Sequence, residues 1–165
     1  MIRALTSDNI HECVKLIRTS FQTVADEFGL TKENAPRFTA FAVDEAKILF
    51  WLEKQQRALM GYYRDDKLVG CYNLLIDVYE AELGSLCVLP EYRHYGIGSC
   101  LLCDAEILAK DLGCEVMKLS IIEENTVLRK WYESFGYVHT GTKKLDFFPF
   151  TCGYMEKELN KDGEL

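Results

Sequence analysis

Residues 86–99 read LCVLPEYRHYGIGS. An apolar run stops at Pro90, aromatic and basic residues follow, and Gly96-Ile97-Gly98 then opens a stretch with helical spacing. A helix begins with unpaired backbone N–H groups at the positive end of its dipole, so a glycine turn at that point suits an anion. Gly96 and Gly98 carry no side chain to block close approach, and Arg93 and His94 add positive charge. The chemistry predicted is phosphate or pyrophosphate binding; a tight turn and nothing more is the bland alternative. Two known phosphate loops do not fit. A P-loop ends in Gly-Lys-Ser/Thr, which is absent here, and the dinucleotide-binding pattern needs a third glycine where this chain has Leu101.

The other reactive residue types point away from metal and redox chemistry. Cys100-Leu-Leu-Cys103 is a lone CxxC, and His11, His94 and His139 are far apart in the chain, so no metal site is predicted. With a helix starting at Ile97, residues Ile97, Leu101, Ala105, Leu108 and Leu112 form one stripe, and both cysteines flank it. The opening MIRALTSDNIHECVKLI does not read as an export signal, because charges interrupt its apolar residues. The seven cysteines are therefore expected as free thiols in a reducing, cytoplasmic setting. No apolar run approaches the length of a membrane span. A net charge of −7 disfavours a nucleic-acid surface and mildly suits a cationic substrate.

The elements that must position these residues follow from periodicity. A chain of 165 residues fits a single domain, 1–165, with one core. A short strand at 2–5 leads to cap residues Thr6, Ser7 and Asp8, then to an amphipathic helix ending near Gly29, either continuous or broken. Residues 30–42, with Pro36, read as a loop, and a second helix starts at about Asp44. Strands are predicted over 57–64, 68–78 and 80–89, with a turn at 65–67. A helix follows to Leu112, then a strand at 114–122 whose near-continuous apolar character suggests burial on both faces. A helix over 126–135 has Leu128, Trp131, Tyr132 and Phe135 on one stripe and Gly136 at its C-terminal turn. Strands at 137–145 and 152–159 close the fold, and 160–165 form a polar tail. The order β-α-α-β-β-β-α-β-α-β-β predicts an α+β domain, a mixed sheet with helices on its faces.

Arg-x-x-Gly-x-Gly after a strand ending in Val-x-Pro resembles the acetyl-coenzyme A loop of the GNAT N-acetyltransferase superfamily. NTVLRKWYESFGY at 125–137 is similar to that family's second signature, an Asn, a helix bearing a Tyr, then Phe-Gly-Tyr. The closing CGYMEKEL at 152–159 is similar to its last strand. The second half of the chain carries these motifs, and the first half matches in element order alone.

The resemblance implies a GNAT-like, mostly antiparallel central sheet and an enzyme that transfers acetyl from acetyl-CoA to a primary amine by direct attack in a ternary complex. It implies that Leu86, Cys87 and Val88 pair their backbone with the pantetheine arm. It implies that Arg93, His94, Tyr95, Gly96, Ile97, Gly98 and Ser99 hold the pyrophosphate, mostly through backbone N–H groups, and that Asn125 contacts the cofactor or caps its helix. Cys87 is then no nucleophile, since an acyl-Cys route needs a base beside it and none is evident. Tyr132 is the implied general acid, a phenol with a pKa of about 10 protonating the leaving thiolate; periodicity alone places it in the core. Glu82 is the implied base for an ammonium with a pKa of about 10.4. Glu80 lies on the same strand face, so spacing does not separate the two. Tyr137, His139 and the loop with Arg37 and Phe38 are expected near the acceptor, and Phe147-Phe148-Pro149-Phe150 as an apolar plug, a dimer contact or an acceptor wall. The acceptor, a small molecule or a peptide amine, is not named by these residues, and a homodimer is a common state for such folds. The alternative is a non-catalytic acyl-CoA sensor on the same fold, which a retained Tyr132 and strand carboxylate disfavour.

Overall fold

Side chains that compete for backbone N–H groups start the helices. Thr6 accepts from Asp8 N, and Asn9 Oδ1 accepts from Thr6 N at 3.0 Å, a capping box that turns strand β1 (Ile2–Ala4) through a short 3-10 turn into α1 (Ile10–Glu27). Asp44 accepts from Lys47 N at 2.8 Å and starts α3 (Glu45–Glu53). The computed structural model describes residues 1–159; the polar tail predicted at 160–165 lies outside them.

α1 is continuous, which settles the choice left open by periodicity. The expected loop at 30–42 is not all loop. It contains a one-turn helix α2 (Thr39–Ala42), too short to produce a periodic pattern. Phe38 and Ala40 there are buried with Ala25, Leu30, Ala35 and Ile122 in a second, smaller apolar cluster. That burial gives the segment an ordered path that its polar composition hides.

β2 (Ala58–Arg64), β3 (Lys67–Asp77) and β4 (Glu80–Val88) form a meander, followed by α4 (Ile97–Asp111), β5 (Val116–Ile122), α5 (Thr126–Glu133), β6 (Val138–Lys144) and β7 (Thr151–Glu158). The sheet order is β1-β2-β3-β4-β5-β7-β6, antiparallel except for the parallel β4–β5 pair. β3 is the buried centre. Tyr72 donates to Asp104 of α4 at 2.6 Å, whereas Cys71 faces Cys13 of α1, so the two helices cover opposite faces of the strand. The expectation that β5 is buried on both faces fails. Met117, Leu119 and Ile121 are buried, but Ser120 is exposed and Lys118 only half-buried. Their face of β5 opens onto a cavity instead of a helix. Among the described residues no helix is long and apolar enough to cross a membrane.

Candidate active site

β4 and β5 pair only at Glu80↔Val116, Ala81↔Met117 and Glu82↔Lys118, and past that point they diverge. The cause lies in β4. Ser85 has φ +51°, and the β3–β4 register jumps from Asn73↔Gly84 to Cys71↔Cys87, a bulge that bends the strand. Each strand is left with one edge of backbone N–H and C=O groups unpaired along the gap, a template for a ligand that bonds as an added strand would. Leu86, Cys87 and Val88 lie on the β4 side of it. Only Leu86 of the three lines the cavity there, which measures about 300 Å3.

α4 begins just past the end of β4. Gly96 takes φ +82°, a left-handed conformation that suits glycine, and nothing stands within 4 Å of where its Cβ would be. No side chain caps α4, and its first intrahelical bond is Cys100 N to Gly96 O, so the amides of Ile97, Gly98 and Ser99 precede the hydrogen-bonded ladder. His94, also left-handed at φ +69°, and Tyr95 are exposed beside them. The turn therefore presents an uncapped helix N-terminus with room around it, which fits a pyrophosphate.

Arg93 does something else. Its guanidinium donates to Val88 O, Thr23 Oγ1 and Ser20 O, each at 3.0 Å, and its backbone N–H is directed at Pro90 O. These bonds tie the end of β4 to α1 beside the turn.

The far wall of the cavity comes from β5 and α5. Asn125 caps α5 by accepting from Leu128 N at 3.1 Å and also lines the cavity, so both of its expected roles are available to it. Tyr132 is 6% exposed, packs edge-on against Trp131 and Tyr137, and lines the same cavity. Core residue and cavity wall are one here. Burial, with the neighbouring Cys87 adding to it, pushes the Tyr132 phenol well above its ordinary pKa. It stays protonated at neutral pH and so has a proton to donate.

Glu82 and Glu80 part company in three dimensions. Glu82 lines the cavity with Tyr132, whereas Glu80 is absent from that lining and bridges to Lys118 Nζ at 2.9 Å. Cys87 is buried with its Sγ 3.7 Å from Cys71 Sγ. Cys71 also faces Cys13, and the bonds among these thiols and their burial raise the Cys71 pKa. No histidine enters this group: His139 is paired with Glu123 at 2.8 Å, and His11 with Glu45.

Several expectations about the acceptor side change. Tyr137 is buried against Glu106, and neither it nor His139 lines the cavity. His139 joins Arg129 on the two oxygens of Glu123, which closes the β5–α5 corner over Gly153. Arg37, Phe38, Phe148 and Phe150 do line the cavity. Phe148 stacks on Phe150 at 4.6 Å, so the aromatic run is plug and wall together. Sequence reading missed Phe21, Val24 and the polar pair Arg57–Asn73 behind β4; the one available signal was an Asn inside the apolar run CYNLLI.

The sequence pattern of the acetyltransferase (GNAT) family matches residues 21–137. The chain belongs to the GNAT family. It is therefore an acetyl-CoA-dependent N-acetyltransferase. A spermidine N(1)-acetyltransferase of Thermoplasma acidophilum is 28% identical over 151 residues, 88% of this GNAT chain and 92% of that protein. The crystal structure of PaiA N-acetyltransferase from Thermoplasma acidophilum, in complex with coenzyme A, superposes with a TM-score of 0.83 at 25% identity, covering 96% of this chain and 98% of that one. The ribosomal-protein-S18-alanine N-acetyltransferase from Escherichia coli shares the fold at a TM-score of 0.75 and 15% identity, over 99% and 96% of the two chains. The mixed sheet predicted from element order, and the mostly antiparallel pairing that the resemblance implies, are observed. Its splayed strands and uncapped glycine turn suit the extended, anionic coenzyme.

Proposed function

We propose that this enzyme acetylates a primary amine of a small polyamine of the spermidine type, by direct attack while both substrates are bound, with Glu82 as base and Tyr132 as acid. The observation that carries this reading is the position of Glu82. It lines both the gap cavity that holds Tyr132 and a second cavity of about 290 Å3. The second cavity presents Asp77, Glu80 and Glu82 against Lys118 alone. An excess of carboxylates beside the reaction centre suits an acceptor with more than one ammonium group. The Thermoplasma relative named for spermidine supports the same class.

Acetyl-CoA supplies the activated acetyl group as a thioester. The free amides of Ile97, Gly98 and Ser99, with His94 and Tyr95 beside them, bind the pyrophosphate. The β4 edge at 86–88 pairs with the pantetheine backbone, and Asn125, its Oδ1 already on Leu128 N, offers Nδ2 to the coenzyme. Glu82 accepts one proton from the bound ammonium, directly or through water, and frees the nitrogen lone pair. A C–N bond forms, the C–S bond breaks, Tyr132 delivers its phenolic proton to the departing sulfur, and the acylated nitrogen gives its surplus proton to solvent, leaving the neutral amide. Solvent then removes the proton from Glu82 and restores that of Tyr132. Cys87 takes no part.

The test is Glu82→Gln. Its expected kcat/KM for spermidine is lower by about 10²–10⁴, with loss of the acidic limb of the pH profile and unchanged acetyl-CoA binding by calorimetry. A monoamine of matched length should react at least about tenfold less efficiently than spermidine, the discrimination expected of an unpaired second charge. Near-normal turnover by Glu82→Gln removes the base, and equal use of both amines removes the polyamine.

A further inference from the structure

Behind β4, on the Glu82 face of the sheet, sits a polar pair that the reaction described above does not use. Arg57 leaves α3 just before β2 and donates through Nε to Gln55 Oε1 at 2.7 Å and through Nη1 to Asn73 Oδ1 at 2.8 Å. Asn73 is fully buried in the middle of β3. Guanidinium has donors and no acceptor, so Arg57 fixes which way the Asn73 amide is turned: the oxygen faces Arg57 and the NH2 group is left over. Asn73 Nδ2 has no partner in the protein. A buried donor without a partner is costly and calls for a water or ligand atom.

The position of that donor is informative. Gly84 is the register partner of Asn73, and a Cβ on Gly84 would stand 2.8 Å from Oδ1 and 3.2 Å from Nδ2. Gly84 also lines the gap cavity, between Glu82 and Ser85. Gly84, with no side chain, lies between the free amide and the place where β4 and β5 part. Arg57 is near enough to Glu82 for the two charges to interact, although they make no direct ion pair. The charged groups around Glu82 are Arg57 just before β2, Asp77 at the end of β3, Glu80 on β4, Lys118 on β5 and Arg37 across the cavity, with Glu156 on β7 acting on Lys118.

We infer that Asn73 and Arg57 are positioning residues for amine deprotonation: Asn73 Nδ2 holds a water at the mouth of the β4–β5 gap that relays the ammonium proton to Glu82, and Arg57 holds the amide in the orientation that makes this possible. The step is balanced, since the water accepts one proton from the ammonium and passes one to the Glu82 carboxylate. The inference rests on Glu82 as base. It adds that the water site is built by the protein and not supplied by bulk solvent.

Three variants separate the two claims. Asn73→Asp keeps the shape but replaces the donor with an acceptor, and Arg57→Gln removes the charge and the orienting contact from a half-buried position. Each is expected to bind acetyl-CoA normally and to lose about tenfold or more in kcat/KM for the amine, a part of the about 10²–10⁴ that a positioned base contributes. Both changes make the surroundings of Glu82 more negative, which favours its protonated form, so the acidic limb of the profile should move to higher pH. Arg57→Lys, which retains a charged donor, should recover part of the rate. If Glu82→Gln abolishes the limb while Asn73→Asp and Arg57→Gln leave rate and limb within about twofold of wild type, the positioning claim falls and the base stands. If Glu82→Gln leaves the limb in place, both fall. Should Asn73→Asp fail to fold, Arg57→Gln decides by the same readings.

Discussion

Arg93 Nη1 lies 3.0 Å from Thr23 Oγ1, a contact between residues seventy apart in the chain. With the bonds to Ser20 O and Val88 O it makes one side chain a three-point tie between α1 and the end of β4. The glycine turn hangs from this tie. Arg93→Lys and Arg93→Met should therefore weaken the protein to a similar degree, because a point charge cannot reproduce a planar fork. About 1.5–3 kcal/mol of stability should be lost in urea unfolding, as for hydrogen bonds to a charged group. If Lys restores coenzyme A affinity and stability, the role is charge and not geometry.

Gly84 is close-packed on an amide that Arg57 holds in place. Gly84→Ala should force Asn73 to shift and cost about 1–3 kcal/mol, the usual penalty of overpacking. A thermal unfolding midpoint several degrees below wild type, with turnover reduced in the same variant, is the expected result. An unchanged midpoint would mean that the amide yields freely.

Tyr132→Phe removes a hydroxyl from a side chain that is otherwise core. Its expected effect is on kcat, with acetyl-CoA affinity and the ring packing against Trp131 and Tyr137 retained. A fall of about 10²-fold or more is in the range of a lost general acid. Equal loss of affinity and rate would assign the phenol to binding.

Alkaline pH should unfold the protein by a traceable route. Burial raises the pKa of Tyr72, Tyr132 and Tyr137; Asp104 adds to the first, Cys87 to the second and Glu106 to the third. A group whose folded-state pKa is raised contributes stability that is present in full below its unfolded value of about 10. That stability is lost as pH rises through the folded values, because the unfolded chain releases its protons first. The urea midpoint should therefore fall above pH of about 10, with tyrosinate absorbance appearing together with unfolding. Tyrosinate forming in the folded protein near its ordinary pKa would contradict the burial.

Cys87→Ala should keep turnover. Its thiol is buried against Cys71 and lacks a histidine partner, whereas a covalent route needs an activated thiolate. The expected change in kcat is less than about threefold, with no acetyl adduct on the intact protein by mass spectrometry. An adduct that disappears in Cys87→Ala would establish a ping-pong route.

Much of the fold was legible because its signals are local. Alternation and helical spacing identify strands and helices, Thr6, Asp44 and Asn125 mark helix starts, and Gly96 marks a left-handed turn. α2 was not legible, since four residues do not make a period. Burial of β5 was misread because apolar composition does not reveal whether a helix or a cavity covers a face.

The site divides along the same line. The sequence by itself determined the glycine turn, the Asn125 cap, the Tyr132 position and the resemblance to the GNAT family, because each depends on residue type at short spacing. Only tertiary structure decided that Arg93 ties α1 to the end of β4, that Glu82 and not Glu80 shares a cavity with Tyr132, and that Asn73 stands behind Gly84. These are relations between residues distant in sequence. They depend on where a bulge at Ser85 bends one strand away from its neighbour, and spacing along a chain does not encode that distance.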